Sequence, residues 1–183
     1  MKRIMMLLAS LALAVVIAGG VALAAPNTKT FANRNTIVIN DATADTTGAD
    51  IPSNATPYPS TIDVTGLSGT ITDVNLTLKG FSHAFPADVS VTLEDPHGNQ
   101  SEVMRNVGGG TDLKNIALTL DDEATNEMLF DSPLSRGTYR PLQPLSVFDT
   151  FEPNGTWRLY VQDNFSDDSG NMSGWSLRIA TTG

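Results

Sequence analysis

The segments VNLTL at residues 74–78 and VSVTL at residues 89–93 decide the class of fold, because large apolar residues occupy every second position of each. Alternate side chains of a β-strand point to opposite faces of its sheet, so each segment has one apolar and one polar face. The same alternation returns in IALTL (116–120), WRLYV (157–161) and WSLRI (175–179). The pattern predicts antiparallel sheets that each bury one face.

The stretches between these segments carry turn-forming residues, among them GLSG (66–69), DPHG (95–98), GGG (108–110), PNG (153–155) and DSG (168–170). Glycine, proline, asparagine and aspartate favour the backbone conformations of tight turns. After residue 25 no stretch keeps a helical apolar period over three turns, and residues 124–130 are the only short helical candidate. We predict an all-β fold, a jelly-roll-like antiparallel β-sandwich.

The first 24 residues have the three-part layout of a secretory signal peptide. Lys2 and Arg3 precede a predominantly apolar run over residues 4–23, which closes on Ala22-Leu23-Ala24. We expect cleavage after Ala24 and a secreted, extracellular protein with no membrane contact thereafter. The alternative is a retained anchor, since about 20 apolar residues can span a bilayer. We further predict a mobile tail over residues 25–30 and one β-sandwich domain over residues 31–183, with residues 31–40 as an entering edge strand.

Composition and charge exclude several classes of function. The 183 residues contain 20 acidic and 11 basic side chains, no cysteine and two histidines. Cleavage after Ala24 would leave nine basic residues and a net charge of −11. Nucleic acids and anionic lipid surfaces repel such a chain, so neither is an expected partner. The absence of cysteine excludes disulfides and thiolate metal sites.

The acidic loops predict a calcium site. Calcium takes six to eight oxygen ligands from carboxylates and backbone carbonyls. Asp112 follows a triple glycine, Asp121 and Asp122 end the next strand, and Asp163 opens another acidic loop. We predict these four residues as calcium ligands, with an ion bridging the loops at Asp112 and Asp121; the alternative is that the loops are only solvated. Asp88 could instead pair with an arginine such as Arg105 or Arg158.

Several phrases together resemble the P domain, also called the P/Homo B domain, of the proprotein-convertase class of subtilisin-like proteases in its bacterial form. They are YPSTI (58–62), GTITDVNLTL (69–78), FSH (81–83) followed by DV (88–89), VGGGTD (107–112), LDDEA (120–124), SRGTYRP (135–141), PNGTW (153–157) and GWSL (174–177). The resemblance covers about residues 31–180. It implies a jelly-roll sandwich that stabilises a protease catalytic domain, and it suggests calcium at the acidic loops.

The residues themselves do not favour catalysis. Serine hydrolysis needs a nucleophile, a base and an orienting carboxylate within reach of each other. Ser82 and His83 are neighbours on a strand and should point to opposite faces, and His97 lies in a turn. We therefore expect His83 to be a packed, hydrogen-bonded residue and the chain not to be an enzyme. A family-level label of serine-type endopeptidase activity or proteolysis would describe its relatives.

These observations predict a secreted, non-catalytic accessory or interaction module, stabilised by calcium, whose partner is a protease or another secreted protein. The alternative is a carbohydrate- or surface-binding adhesion module. Trp157 and Trp175, which each begin an alternating strand, are expected to pack in the core, although they could instead form a platform for sugar rings.

Overall fold

The computed structural model describes residues 27–183, which form an all-β protein with fourteen strands. The predicted signal peptide therefore lies outside the described residues. The strands are β1 (Asn27–Asn33), β2 (Ile37–Ile39), β3 (Thr43–Ala44), β4 (Asp50–Ile51), β5 (Ser53–Asn54), β6 (Ser60–Val64), β7 (Ile71–His83), β8 (Val89–Glu94), β9 (Gln100–Met104), β10 (Leu113–Leu120), β11 (Gly137–Tyr139), β12 (Gly155–Asp163), β13 (Gly170–Met172) and β14 (Gly174–Thr181). Two short 3-10 helices span Pro86–Asp88 and Leu145–Phe148. Within residues 27–183 no helix is long and apolar enough to cross a membrane.

Two sheets form the layers of the sandwich. The larger has seven strands in the order β1-β14-β7-β10-β11, with β13 pairing both β7 and β2. The smaller has five strands in the order β5-β12-β8-β9, with β6 also pairing β12, and β3 and β4 form a separate ribbon. All named strand pairs are antiparallel except β10 with β11. The predicted antiparallel β-sandwich is confirmed.

The core lies between the two layers and is built from the alternating segments. Fourteen of the fifteen large apolar residues in the five segments are buried, and Ile116 is partly buried. Trp157 lies in the smaller sheet and Trp175 in the larger, and both are fully buried. The Trp175 indole N–H donates to the Ser60 hydroxyl of the opposite layer (2.9 Å), so the core also contains directional contacts between the sheets.

A bulge in β7 changes which side chains face the core. Ile116 and Leu118 are two residues apart on β10, but their partners Phe81 and Leu78 are three apart on β7. The extra residue lies at Gly80, whose φ of +61° suits glycine. Beyond it the inward positions are Phe81 and His83, so the alternation set by VNLTL does not simply continue along the strand.

Three local predictions differ from the structure. Residues 27–30 do not form a mobile tail, because β1 begins at Asn27 and pairs with β14 over its whole length. Threonine-rich, polar strands are stable at a sheet edge when a neighbour satisfies their backbone groups. Residues 124–130 contain no helix, and the expected strand over residues 31–40 is instead the end of β1 followed by β2.

Candidate functional site

The structure separates the four predicted calcium ligands. Asp112 immediately precedes β10, and Asp121 and Asp122 immediately follow it. An eight-residue strand is about 25 Å long, so one ion cannot bridge these two ends. Asp163 ends β12, near the end of the sandwich where β10 begins. The predicted bridging ion is therefore incompatible with this topology, and calcium binding itself stays a prediction.

All four residues also have other partners. Asp112 lies 3.4 Å from Lys114, and both side chains are exposed. The Asp121 carboxylate accepts the backbone N–H of Glu123 (2.9 Å). Both oxygens of Asp122 accept backbone N–H groups at the start of the Leu145–Phe148 helix, at 2.9 and 2.8 Å. Asp122 thus fixes the entry of that helix, as a capping residue does.

Asp163 forms a buried pair with His83. The Nε2 atom of His83 lies 3.0 Å from Asp163 Oδ2, and both side chains are fully buried. The other ring nitrogen lies 3.0 Å from the Phe85 carbonyl oxygen. Burial raises the pKa of Asp163, although the N–H of Phe165 and the charge of His83 oppose that shift. This pair couples the end of β7 in one sheet to the end of β12 in the other.

His83 therefore has the predicted structural role. It is packed and hydrogen-bonded, and the adjacent Ser82 hydroxyl accepts the N–H of Asn115 at 2.9 Å. His97 lies in an exposed turn, with Nε2 3.0 Å from the carbonyl oxygen of Glu152. Neither histidine is within hydrogen-bond distance of a serine side chain in the described residues.

A first acidic cluster surrounds Asp88, and we call it the Asp88 cluster; its members are Asp41, Asp50, Asp88, Asp163 and Asp168. Asp88 is only 7% exposed, and its carboxylate has no hydrogen-bond partner within residues 27–183. Burial and then the charges of the other four carboxylates raise the pKa of Asp88 to about 6. Among residues 27–183 no arginine pairs with it; Arg105 pairs with Glu102 and Arg158 with Glu94.

A second cluster, the Asp149 cluster, lies at the opposite end of β10 and consists of Asp73, Asp122, Glu123 and Asp149. These four line a cavity of about 20 Å³ together with Ser146 and parts of β7. The Oδ1 atom of Asp149 is buried and has no hydrogen-bond partner within the described part of the chain. Burial and then the charges of Asp122 and Asp73 raise the pKa of Asp149. The cavity is just large enough for one water molecule or ion.

The Asp149 cluster fits a hard cation by the chemistry of its donors, and it contains one of the four predicted ligands. Four of the seven lining residues carry carboxylates, which calcium prefers, and one buried oxygen has no hydrogen-bond partner within residues 27–183. Two of these carboxylates are already engaged, since Asp73 pairs with Arg178 and Asp122 accepts two backbone N–H groups. Among residues 27–183, however, no three acidic or histidine side chains already stand in metal-binding positions. Asp73 and Asp149 were missed by sequence reasoning, because 76 residues separate them and only the fold brings them together.

Comparison with known proteins identifies the family. The family model described as "Proprotein convertase P-domain" matches residues 71–179. The chain belongs to this family. The resemblance inferred from the sequence is therefore confirmed, and the matched region runs from the start of β7 almost to the end of β14.

Two solved structures are similar to this P domain. One is the serine protease of Aeromonas sobria in complex with its chaperone, at 15% identity and a TM-score of 0.44, covering 87% of this chain and 27% of that one. The other is the serine protease of Aeromonas sobria, at 14% identity and the same TM-score, covering 86% and 27%. The P domain thus spans about a quarter of the length of each. A search of curated proteins finds no match.

Proposed function

We propose that this P domain is a secreted, non-catalytic accessory module that binds another protein, in the first instance a protease. The family match over residues 71–179 carries the proposal, since the P domain is a protease-associated domain. The bonding of His83 and Ser82 supports a non-catalytic role, because each is already used within the fold. If the purified chain hydrolysed quenched peptides and lost that activity on His83→Gln substitution, the non-catalytic role would be wrong.

An apolar patch supports binding to a protein surface. Leu129, Phe130 and Leu142 are each more than half exposed. The backbone carbonyls of Leu129 and Phe130 accept N–H groups from Gly108 and Gly109, which holds them against the triple-glycine turn. Leu142 lines an adjacent groove of about 240 Å³. Large exposed apolar patches are typical of protein interfaces.

Affinity capture with an activity-based label tests the protease partner. Residues 25–183 carrying a tag would be incubated with native extracellular fluid, and the captured proteins labelled with a fluorophosphonate that reacts with active serine hydrolases. We expect a labelled partner whose capture falls when Phe130 is changed to Ser and persists when Phe165, an exposed aromatic in the β12–β13 loop, is changed to Ser. A labelled band captured equally by both variants, or none at all, would contradict the proposal.

We also propose that calcium stabilises the domain at the Asp149 cluster. Burial and then the charges of Asp122 and Asp73 raise the pKa of Asp149; burial raises the pKa of Asp73, where the charge of Arg178 opposes those of Asp121 and Asp122. A divalent cation would relieve the repulsion at Asp149. An ion would have to draw the four side chains closer together. Millimolar calcium should raise the melting temperature of the wild-type protein and of Asp88→Asn, but not of Asp149→Asn. Equal melting curves with calcium and with chelator would contradict stabilisation by calcium. A calcium-dependent rise in melting temperature that is lost only in Asp88→Asn would place the ion at the Asp88 cluster.

Secretion is part of the proposal and rests on residues 1–24. Expression of the full chain with its native N-terminus should release a protein that begins at Ala25. N-terminal sequencing of the released protein checks this, and a product that stays in the membrane fraction would favour an anchor.

A further inference from the structure

The outer face of the smaller sheet carries an open polar groove with two tyrosines. Its volume is about 260 Å³. The lining residues lie on the side of the sheet away from the core; they are Tyr58, Ser90, Thr92, Gln100, Tyr160 and Gln162. Tyr58 and Tyr160 meet edge to face, with ring centroids 5.2 Å apart and an angle of 70° between the rings. Tyr58 is 39% exposed, so its ring is available to a ligand.

Strand pairing holds the floor of this groove in place. Tyr160 lies opposite Thr92, and Gln162 lies opposite Ser90, in the β12–β8 register. Leu159 and Val161, on either side of Tyr160 in the strand, point into the core and are each 1% exposed. The floor of the groove is therefore part of the regular sheet, whereas Tyr58 lies in the bend between β5 and β6.

Hydrogen bonds orient the polar side chains and leave two acceptors free. The Gln100 amide N–H donates to Glu94 (2.6 Å), and the Gln162 amide N–H donates to Asn54 (2.8 Å). Within residues 27–183 the side-chain oxygens of Gln100 and Gln162 accept no hydrogen bond. Both oxygens can accept from a ligand hydroxyl.

This combination matches the two-sided chemistry of a sugar ring. A pyranose presents C–H groups on its faces, which pack on aromatic rings, and hydroxyls around its edge, which need donors and acceptors. The groove supplies tyrosine rings together with amide and hydroxyl groups, and its volume lies just below the range of about 300–1,000 Å³ typical of small-molecule pockets.

Charge favours an uncharged sugar. Glu94 beside the groove is already paired with Arg158 (3.2 Å) and accepts the Tyr160 hydroxyl (3.4 Å). Residues 27–183 contain nine basic and 20 acidic side chains, so the domain repels uronic acids and other anionic sugars.

We propose that the Tyr58–Tyr160 groove binds a neutral saccharide, with a pyranose ring against the Tyr58 ring and ring hydroxyls at Gln100 and Gln162. This site is separate from the buried tryptophans, which are fully enclosed and cannot serve as a platform. It would give the P domain a second binding function, independent of any protein partner at the exposed apolar residues Leu129, Phe130 and Leu142.

Nuclear magnetic resonance titration tests the proposal. ¹⁵N-labelled residues 25–183 would receive cellobiose, maltose, lactose and mannobiose at millimolar concentration, with polygalacturonate and an unrelated peptide as comparisons. We expect at least one neutral disaccharide to shift the backbone amides of β8, β9 and β12, and polygalacturonate to leave them unchanged.

Variants of exposed residues give the control. Tyr58→Ala should weaken the binding about tenfold, because an aromatic stacking partner is lost. Phe165→Ala removes an equally exposed ring elsewhere and should leave the affinity unchanged. The proposal is overturned if none of the four disaccharides shifts these amides, if only the peptide does so, or if Tyr58→Ala binds as tightly as the wild type.

Discussion

Replacing Asp88 by asparagine tests whether the Asp88 cluster destabilises the folded domain at neutral pH. Burial and the four neighbouring carboxylates raise the pKa of Asp88 from 3.8 to about 6. A carboxyl with a raised pKa favours the folded state when it is protonated, so the free energy of unfolding falls as the pH rises from about 3.8 through about 6. Asparagine has a similar shape and no charge, so the variant should lack this fall.

The size of the effect follows from the pKa. The full difference in pKa would cost about 3 kcal/mol of stability above pH 6 if no water screened the charges. Because the neighbouring carboxylates are partly solvated, we expect about 1–2 kcal/mol. For a domain of this length that corresponds to a melting temperature about 3–6 °C higher for Asp88→Asn at pH 7.

Urea unfolding in the presence of chelator, followed by the fluorescence of the two buried tryptophans, measures the effect. The stability of the variant minus that of the wild type should increase between about pH 4 and pH 7 by the expected 1–2 kcal/mol. The change of this stability difference with pH is the decisive quantity, because the cost of burying the asparagine amide is the same at every pH and does not contribute to the change. The exposed Asp131→Asn variant should show a smaller pH dependence. A difference for Asp88→Asn that stays constant over this range would refute the reasoning.

Three further predictions address other contacts. His83→Gln should lower the free energy of unfolding by about 3–5 kcal/mol, because it leaves the Asp163 carboxylate buried without its partner. The double variant His83→Gln, Asp163→Asn should recover part of the lost stability, and no recovery would argue against an energetically coupled pair. Asp122→Ala should cost about 1–2 kcal/mol and speed amide exchange at the start of the Leu145–Phe148 helix, while unchanged exchange there would show that the cap is unimportant. Deleting residues 27–33 should lower the melting temperature and promote aggregation by exposing an edge of β14, whereas a mobile tail could be removed without effect.

The periodic strands could be predicted from the sequence, because their pattern reflects burial of one face. Ile116, which departs from the burial expected of its segment, shows where the alternating apolar pattern fails as a predictor. The bulge at Gly80 shifts the pairing of β7 with β10, and Asn115 beside it has a φ of +53°. A change of register is a property of two strands, so neither segment reveals it alone. The first four residues of the edge strand β1 were missed for a related reason, since their stability comes from the partner strand rather than from apolar residues of their own.

The candidate sites were less predictable than the fold. The ion predicted to bridge the loops at Asp112 and Asp121 required the sandwich to bring these loops together, but residues 113–120 form one extended strand that separates them. The members of the Asp88 cluster come from segments spread over residues 41–168. Tyr160 lies at the outward position of WRLYV, which indicates a surface ring, but its contact with Tyr58 depends on a connection about 100 residues earlier. Such clusters follow from topology rather than from spacing along the chain.

The pairing of β1 with β14 has a consequence for the order of folding. The first strand of the described chain must find the last one, with Asn27 opposite Thr181, and β14 also lies between β1 and β7. A ribosome would have to release β14 before the larger layer could close, so this layer is completed late. A chain that cannot finish folding early remains incompletely folded for longer, which suits a translocation pore that passes extended polypeptide.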